Sequence, residues 1–236
     1  MRICLLLPTL NEIEGMRWCI PKIDRSLFAD IIVVDGGSVD GTTEFSTQQG
    51  LRVVRQTGVG IADALLCGYL NTDCDAIVEF TPDGNSLPEV LPTLCSKMND
   101  GYDLVIVSRY LAGAKSEDDD IFTGFGNWMF TCIINFLYGG KYTDTLVGFR
   151  AISRNAVIKM DLVTMTKPAF RRMLPRMNAW ETASSIRAAK LNLNIIEIPG
   201  DEPKRIGGVR KMSIIKNGSG TVFQIIYDLF FFHPNK

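Results

Sequence analysis

Five short apolar runs mark out the first half of the chain, each stopped by a turn or by the start of a helix, and this rhythm limits the fold more than any other feature. They fall at 2–7, 30–34, 51–54, 76–80 and 103–107. Runs this short, bounded by Gly, Pro, Asn and Asp, read as buried strands. Segments of helical length separate them, which predicts alternating strands and helices, a mostly parallel sheet and right-handed crossovers. In an open α/β sheet, ligands bind outside the carboxyl ends of the strands. That edge gathers Pro8 to Glu12, Asp35 to Ser38, Asp83 to Asn85, and Arg109.

The fourth run is the most informative. Pro82 and Gly84 end it abruptly and leave Asp83 and Asn85 separated by one residue at the strand's carboxyl end. A carboxylate beside an amide oxygen suits a hard cation, Mg²⁺ or Mn²⁺, bridging a diphosphate. Asp-Gly-Asn is also ordinary turn chemistry, so the neighbouring motifs must decide.

A chain of 236 residues buries roughly 70–75% of its unfolded surface, enough for one sizeable core. With no linker and no repeat, residues 1–236 read as a single domain. Lys plus Arg number 25 and Asp plus Glu 26, so no global field recruits nucleic acid and any anion site must be local. The cysteines (Cys4, Cys19, Cys67, Cys74, Cys95, Cys132) sit mostly in apolar runs without a Cys-x-x-Cys pair, as reduced core residues of a cytoplasmic protein do. The lone histidine, His233, is the fourth residue counting back from the end of the sequence. That argues against Ser-His hydrolysis, His-ligated zinc and histidine acid/base chemistry. Arg2 to Leu7 is too short for a signal peptide's apolar region. The segment 222–232 would span about 16 Å as a helix against a hydrocarbon core of about 30 Å, too little to cross a bilayer.

Asn11 with Glu14, and Ser86 with Glu89, have capping-box spacing. Gly58-x-Gly60-x-x-Asp63 imitates a dinucleotide fingerprint but follows the third strand and has Asp where Gly or Ala is needed. The acidic run Glu117 to Asp120 reads as a solvated loop, because adjacent like charges repel. Further on, 124–138 and 178–190 are helical, 145–152 holds a turn or short strand at Gly148-Phe149-Arg150, and 193–198 is a late strand. The loop at 199–212 then clusters basic residues around Gly207-Gly208, a composition that can mould itself to an anion. Residues 213–232 predict a helix in which 222–232 carries only Gln224 and Asp228 as polar residues, on one face. It either packs on the core or lies at a membrane interface. Arg210, Lys211 and Lys216 just upstream favour the interface.

Taken in order, Pro8-Thr9-Leu10-Asn11-Glu12, Val34-Asp35-Gly36-Gly37-Ser38-Val39-Asp40-Gly41-Thr42, Gly60 to Gly68, Asp83-Gly84-Asn85, Ser108-Arg109-Tyr110, Gly148-Phe149-Arg150, Glu181 and Arg205-x-Gly-Gly-x-x-Lys211 resemble the GT-A glycosyltransferases, in particular those of family 2 similar to dolichol-phosphate mannose synthase. The resemblance covers nearly the whole chain. It implies that Pro8, Thr9, Asn11, Glu12, Asp35, Gly37 and Ser38 bind the nucleotide, and that Asp83, Gly84 and Asn85 meet the metal and diphosphate. Arg109, Arg150, Arg205 and Lys211 would handle the anionic groups of donor and acceptor, with surface ion pairs as the other reading of Arg150 and of Arg205 with Lys211. Glu181 would orient the acceptor or act as base; equally, it is an acid favoured at a helix start. Two departures stand out: the usual Asp-x-Asp is Asp83-x-Asn85 with Leu87 where the family has a Gln ligand, and the second Asp of the Asp-Asp-Gly-Ser turn is Gly36. Losing one negative charge and one oxygen ligand puts metal dependence in more doubt than nucleotide binding.

The function so implied is inverting transfer of a hexose from a GDP- or UDP-sugar to a polyprenyl phosphate, metal-assisted, at the cytoplasmic face of a membrane. Two alternatives remain open. One is transfer to a hydroxyl of a glycan, small molecule or protein; the other is a nucleotide-sugar-binding protein without catalysis.

Overall fold

The computed structural model describes residues 1–166, 180–207 and 214–233. The alternation read from the sequence is present. Strand β1 (Ile3–Thr9) leads to helix α1 (Ile13–Cys19), β2 (Asp30–Asp35) to α2 (Thr42–Gln48), and β3 (Arg52–Arg55) to α3 (Ile61–Leu70). Then β4 (Ala76–Glu79) leads to α4 (Leu91–Asn99) and β5 (Leu104–Ser108) to the long α5 (Ile121–Tyr138). Strand β6 (Arg150–Ser153) runs into α6 (Arg154–Lys159) and α7 (Leu162–Thr166), and α8 (Trp180–Lys190), β7 (Ile195–Pro199) and α9 (Ile214–Phe230) follow.

The strands form a seven-stranded sheet in the order β3-β2-β1-β4-β6-β5-β7. Only β6 runs antiparallel, wedged between β4 and β5. β1, β4 and β5 are buried along their length because helices cover both faces, which is why they read as unbroken apolar runs. From β1 the chain moves outward to β2 and β3, then returns to place β4 on β1's other side. That reversal opens a crevice beyond the carboxyl ends of β1 and β4.

Both capping boxes are corrected. Asn11 takes a left-handed conformation (φ 55°) and its side chain accepts from Val39 N–H instead, while the turn at Pro88–Val90 has Leu87 at its cap and no side-chain bond. Asp120, by contrast, caps α5 by accepting from Thr123 N–H at 2.8 Å. Asp63 closes its own loop by accepting from Gly58 N–H at 2.9 Å, which accounts for the fingerprint lookalike.

Helices α5, α8 and α9 pack together. α9 is turned in an unexpected sense: Gln224 and Asp228, the two polar residues of its stretch from 222 onward, point inward. Asp228 is fully buried and accepts from Arg187 Nε and Nη2 at 2.9 and 2.8 Å and from Gln224 at 2.6 Å. Breaking such a buried pair from one side typically costs about 3–5 kcal/mol. With that face committed, Val222, Phe223, Ile226, Leu229 and Phe230 are exposed, and α5 likewise exposes Phe122, Phe125, Trp128 and Phe136. No described helix is long and apolar enough to cross a membrane.

Candidate active site

Two turns at the crevice are stitched to each other before any ligand is considered. Asp35, buried at the end of β2, accepts from the N–H groups of Gly37 and Ser38. Ser38 Oγ in turn accepts from Asn11 N–H, Thr42 Oγ1 from Glu12 N–H, and Asp40 from Ile13 N–H. The motif Pro8 to Glu12 and the motif Asp35 to Thr42 thus form one rigid ledge over β1 and β2. Gly36 also has a local reason: a Cβ there would lie 3.1 Å from Gln56 Oε1 and 3.3 Å from Thr9 O. An aspartate would crowd that contact. Thr9 Oγ1 is buried at the ledge without a hydrogen-bond partner.

On the other side of the switch point, Asp83 and Asn85 are both buried yet line the main cleft, a cavity of about 390 Å³. Asp83 Oδ1 accepts from Asn85 N–H at 3.2 Å. Among the described residues the Asn85 side-chain amide has no partner at either Oδ1 or Nδ2. Gly84 between them has φ +88° and lies so close to the loop above that a Cβ would come within 2.7 Å of Ile206 Cγ1. Any larger side chain would lift that loop.

The loop carries Arg205, whose Nη1 lies 2.9 Å from Asp83 Oδ2 and whose Nε lies 3.3 Å from Asp118 Oδ2. Ile206 N–H donates to the Asp83 carbonyl at 2.8 Å and fixes the loop over the carboxylate. Burial raises the Asp83 pKa to about 6, with Arg205 pulling against that rise. The reading of 117–120 as a solvated loop is therefore corrected: Asp118 meets Arg205, Asp119 lies 3.5 Å from Arg109, and both line the cleft.

Arg109 is in the cleft wall, but its charge is already engaged. Nε and Nη2 grip Asp144 at 2.6 and 3.1 Å, and Nη1 reaches Glu202 at 3.1 Å. Burial works against its charge, yet Asp144, Glu202 and Asp119 outweigh it and keep the guanidinium firmly protonated. Asp144, fully buried, is a residue the sequence reading did not single out.

The assignment of Arg150 to an acceptor phosphate is corrected. Its side chain is fully buried and donates to the carbonyls of Val147, Thr145 and Glu181 and to the hydroxyls of Ser184 and Ser185. It ties the Gly148-Phe149 turn to α8 instead. Glu181 does line the cleft, and burial raises its pKa while Arg150 lowers it. Lys211 lies outside the described residues.

Glu79, at the end of β4, was also missed, although an acid inside an apolar strand is a visible signal. Burial raises its pKa from 4.5 to about 8, against Arg150; Glu181 adds to the rise and the Trp180 hydrogen bond opposes it. Between those two values the native state holds a proton that the unfolded chain has released. Stability should therefore fall as pH rises across that window, by up to about 1.4 kcal/mol per pH unit from this group. Urea unfolding of Glu79→Gln against the unsubstituted protein checks it: the variant should gain relative stability with rising pH, and a pH-independent difference would contradict it.

An open α/β sheet with a stitched ledge on one side of its switch point and an acid-amide pair on the other defines a GT-A glycosyltransferase. The chain belongs to glycosyl transferase family 2, whose model matches residues 4–160. It is 27% identical over 223 residues to an undecaprenyl-phosphate mannosyltransferase of Micrococcus luteus, covering 90% of this chain and 88% of that one. It is also 27% identical to a polyprenol monophosphomannose synthase of Mycolicibacterium smegmatis, over 90% of this chain and 81% of the other. Among solved structures it resembles glucosyl-3-phosphoglycerate synthase of Mycobacterium tuberculosis in complex with Mn²⁺, UDP and glucosyl-3-phosphoglycerate. There the TM-score is 0.62 at 21% identity, over 97% of this chain and 79% of that one.

Proposed function

We propose that this glycosyltransferase moves a hexose from a nucleoside diphosphate sugar to a polyprenyl phosphate, with inversion. The observation that carries the reading is the composition of the main cleft. Asp83, Asn85 and Arg205 meet there with Phe122 and Phe130 of α5 and Gly218 and Thr221 of α9, the two helices whose outer faces expose aromatic and aliphatic side chains. A water-soluble anionic donor and a lipid-borne acceptor can both reach such a site.

For a divalent cation the residues fit. Asp83 offers a carboxylate and Asn85 an amide oxygen that none of the described residues satisfies, and two protein ligands suit Mg²⁺ or Mn²⁺, which take their other ligands from phosphates and water. When bound, the cation would neutralise charge on the departing diphosphate. The ledge of Pro8, Thr9, Asn11, Glu12, Asp35, Gly37 and Ser38 offers backbone and carboxylate partners for base and ribose. In the transfer, an acceptor phosphate oxygen bonds to the anomeric carbon as the carbon–oxygen bond to the diphosphate breaks, the electron pair leaving with the nucleoside diphosphate. The acceptor phosphate is already deprotonated, so this step needs no general base; it needs two anions held close together, which fixed positive charge provides. Arg205 supplies that charge.

Incubation with a panel of UDP- and GDP-sugars, with and without a polyprenyl phosphate, tests the reading. Nucleoside diphosphate release dependent on the lipid phosphate is expected; release with soluble hydroxyl acceptors alone would overturn it. Glu181, a carboxylate in the cleft wall, keeps the hydroxyl-acceptor reading in play.

The apolar faces of α5 and α9 support peripheral binding to a membrane surface, since an interfacial helix buries its apolar side among the acyl chains. Arg210 and Lys211 lie outside the described residues, so the support comes from the exposed side chains. Flotation with anionic liposomes should carry the protein upward, and Phe223→Ser with Phe230→Ser should abolish it. A protein that stays in the soluble fraction refutes this part of the proposal.

A further inference from the structure

Behind the cleft wall lies a buried polar group, Glu79, Arg150 and Trp180, that the transfer step does not use. Glu79 closes β4 and faces Arg150 across the antiparallel β4–β6 ladder. Its Oε1 accepts from the Trp180 indole N–H at 2.5 Å, and its Oε2 has no partner among the described residues. Trp180 is fully buried and is the first residue of α8; the next residue is Glu181. Arg150 holds the same turn from a second side, donating to the Glu181 carbonyl at 2.9 Å. The Glu181 carboxylate itself faces the cleft beside Gly148, where an added Cβ would lie 3.9 Å from Oε1.

We infer that Glu79 is a positioning residue for the donor sugar: through Trp180 it sets the first turn of α8 so that the Glu181 carboxylate meets the hexose hydroxyls. The geometry explains why an acid sits here at all. A leucine would fill the strand position without a buried polar group, whereas an acid with one oxygen unpartnered is costly to bury. Such costs persist where a constellation has to be held to a fraction of an ångström, and Glu79 gives the α8 start a fixed point on the sheet that packing alone would leave free to rotate. Glu181 and the donor cation position share the cleft. A carboxylate there accepts from sugar hydroxyls, and its alignment sets affinity for the sugar rather than for the nucleotide.

This inference rests on the donor site proposed above, and the test separates the two. Calorimetric titration with UDP-glucose and GDP-mannose, and with UDP and GDP, needs no turnover. Glu79→Leu, and Trp180→Phe as the variant that keeps the packing, should bind the nucleoside diphosphate as the unsubstituted protein does, bind the nucleotide sugar about tenfold more weakly, and turn over more slowly by less than about tenfold. Glu79→Gln retains an acceptor for the indole and should restore all three within about twofold. In a Glu181→Ala background, Glu79→Leu should add less than about twofold, because the two act on one contact. Unchanged sugar affinity in both Glu79→Leu and Trp180→Phe, or effects that multiply in the double variant, would overturn the inference. If the unsubstituted protein binds UDP and GDP but neither sugar, the positioning role falls alone; if it binds no nucleotide at all, the donor site falls with it.

Discussion

Arg205→Ala is expected to lower turnover about a hundredfold or more, the usual cost of removing one electrostatic stabiliser from a preorganised site. The structure sharpens why this arginine stands out among the basic residues. Arg109 is held by Asp144, Glu202 and Asp119, and Arg150, fully buried, is spent on carbonyls and hydroxyls. Arg205 is paired with Asp83 and Asp118, both of which face the cleft, and its own side chain is 26% exposed. An incoming diphosphate or phosphate can draw it away from those carboxylates. Glu181→Gln should cost less than about tenfold if the acceptor is a phosphate, because the nucleophile then arrives deprotonated. Steady-state turnover of the two variants with a polyprenyl phosphate checks both. Were Glu181→Gln inactive and Arg205→Ala well tolerated, the acceptor would be a hydroxyl.

Asp83→Ala is expected to have the larger effect, about a thousandfold or more, since a cation at a departing diphosphate is worth several kcal/mol to the developing charge. Two readouts accompany it. A nucleoside diphosphate at about a hundred times its dissociation constant should stabilise the unsubstituted protein by roughly 2.7 kcal/mol, and Asp83→Ala should remove the part of that shift that depends on Mg²⁺ or Mn²⁺. Thermal unfolding with GDP and UDP, with and without the metal, measures it. If the shift is the same with and without a cation in both proteins, Asp83 and Asn85 are not its ligands.

The elements of the first half were legible because each follows from local chemistry. An apolar run stopped by Pro, Gly or Asp is a strand end whatever lies elsewhere, and β1, β2, β3, β4 and β5 fall where the runs do. The ledge and the acid-amide pair followed, since both are strand-end turns. What was not legible depends on partners distant in sequence. The acidic run at 117–120 reads as solvated by its own repulsion, and only Arg205, 87 residues on, makes Asp118 a cleft residue. Asp144 and Arg109 are 35 residues apart and identify each other only once folded. Arg150 carries the charge of an anion binder, but its place in a strand wedged between β4 and β5 turns that charge inward. Glu79 was hidden for the opposite reason, being read as one more member of an apolar run.

The inward-turned ion pair of α9 also bears on how far the molecule could sink into a bilayer. A helix held to its protein only by apolar contacts can exchange those neighbours for acyl chains at little cost. Here the same move would strip Asp228 from Arg187 and Gln224 and carry a carboxylate into hydrocarbon, where an ionised side chain at the bilayer centre costs at least about 2.5–3.5 kcal/mol. Lys190 adds a second tether, donating to the carbonyls of Asp228 and Phe232. Under the membrane docking proposed above, the helix would act as a float rather than an anchor: its aromatic side would rest on the lipid surface, while the pair beneath it would keep the cleft at a constant height above the acyl chains.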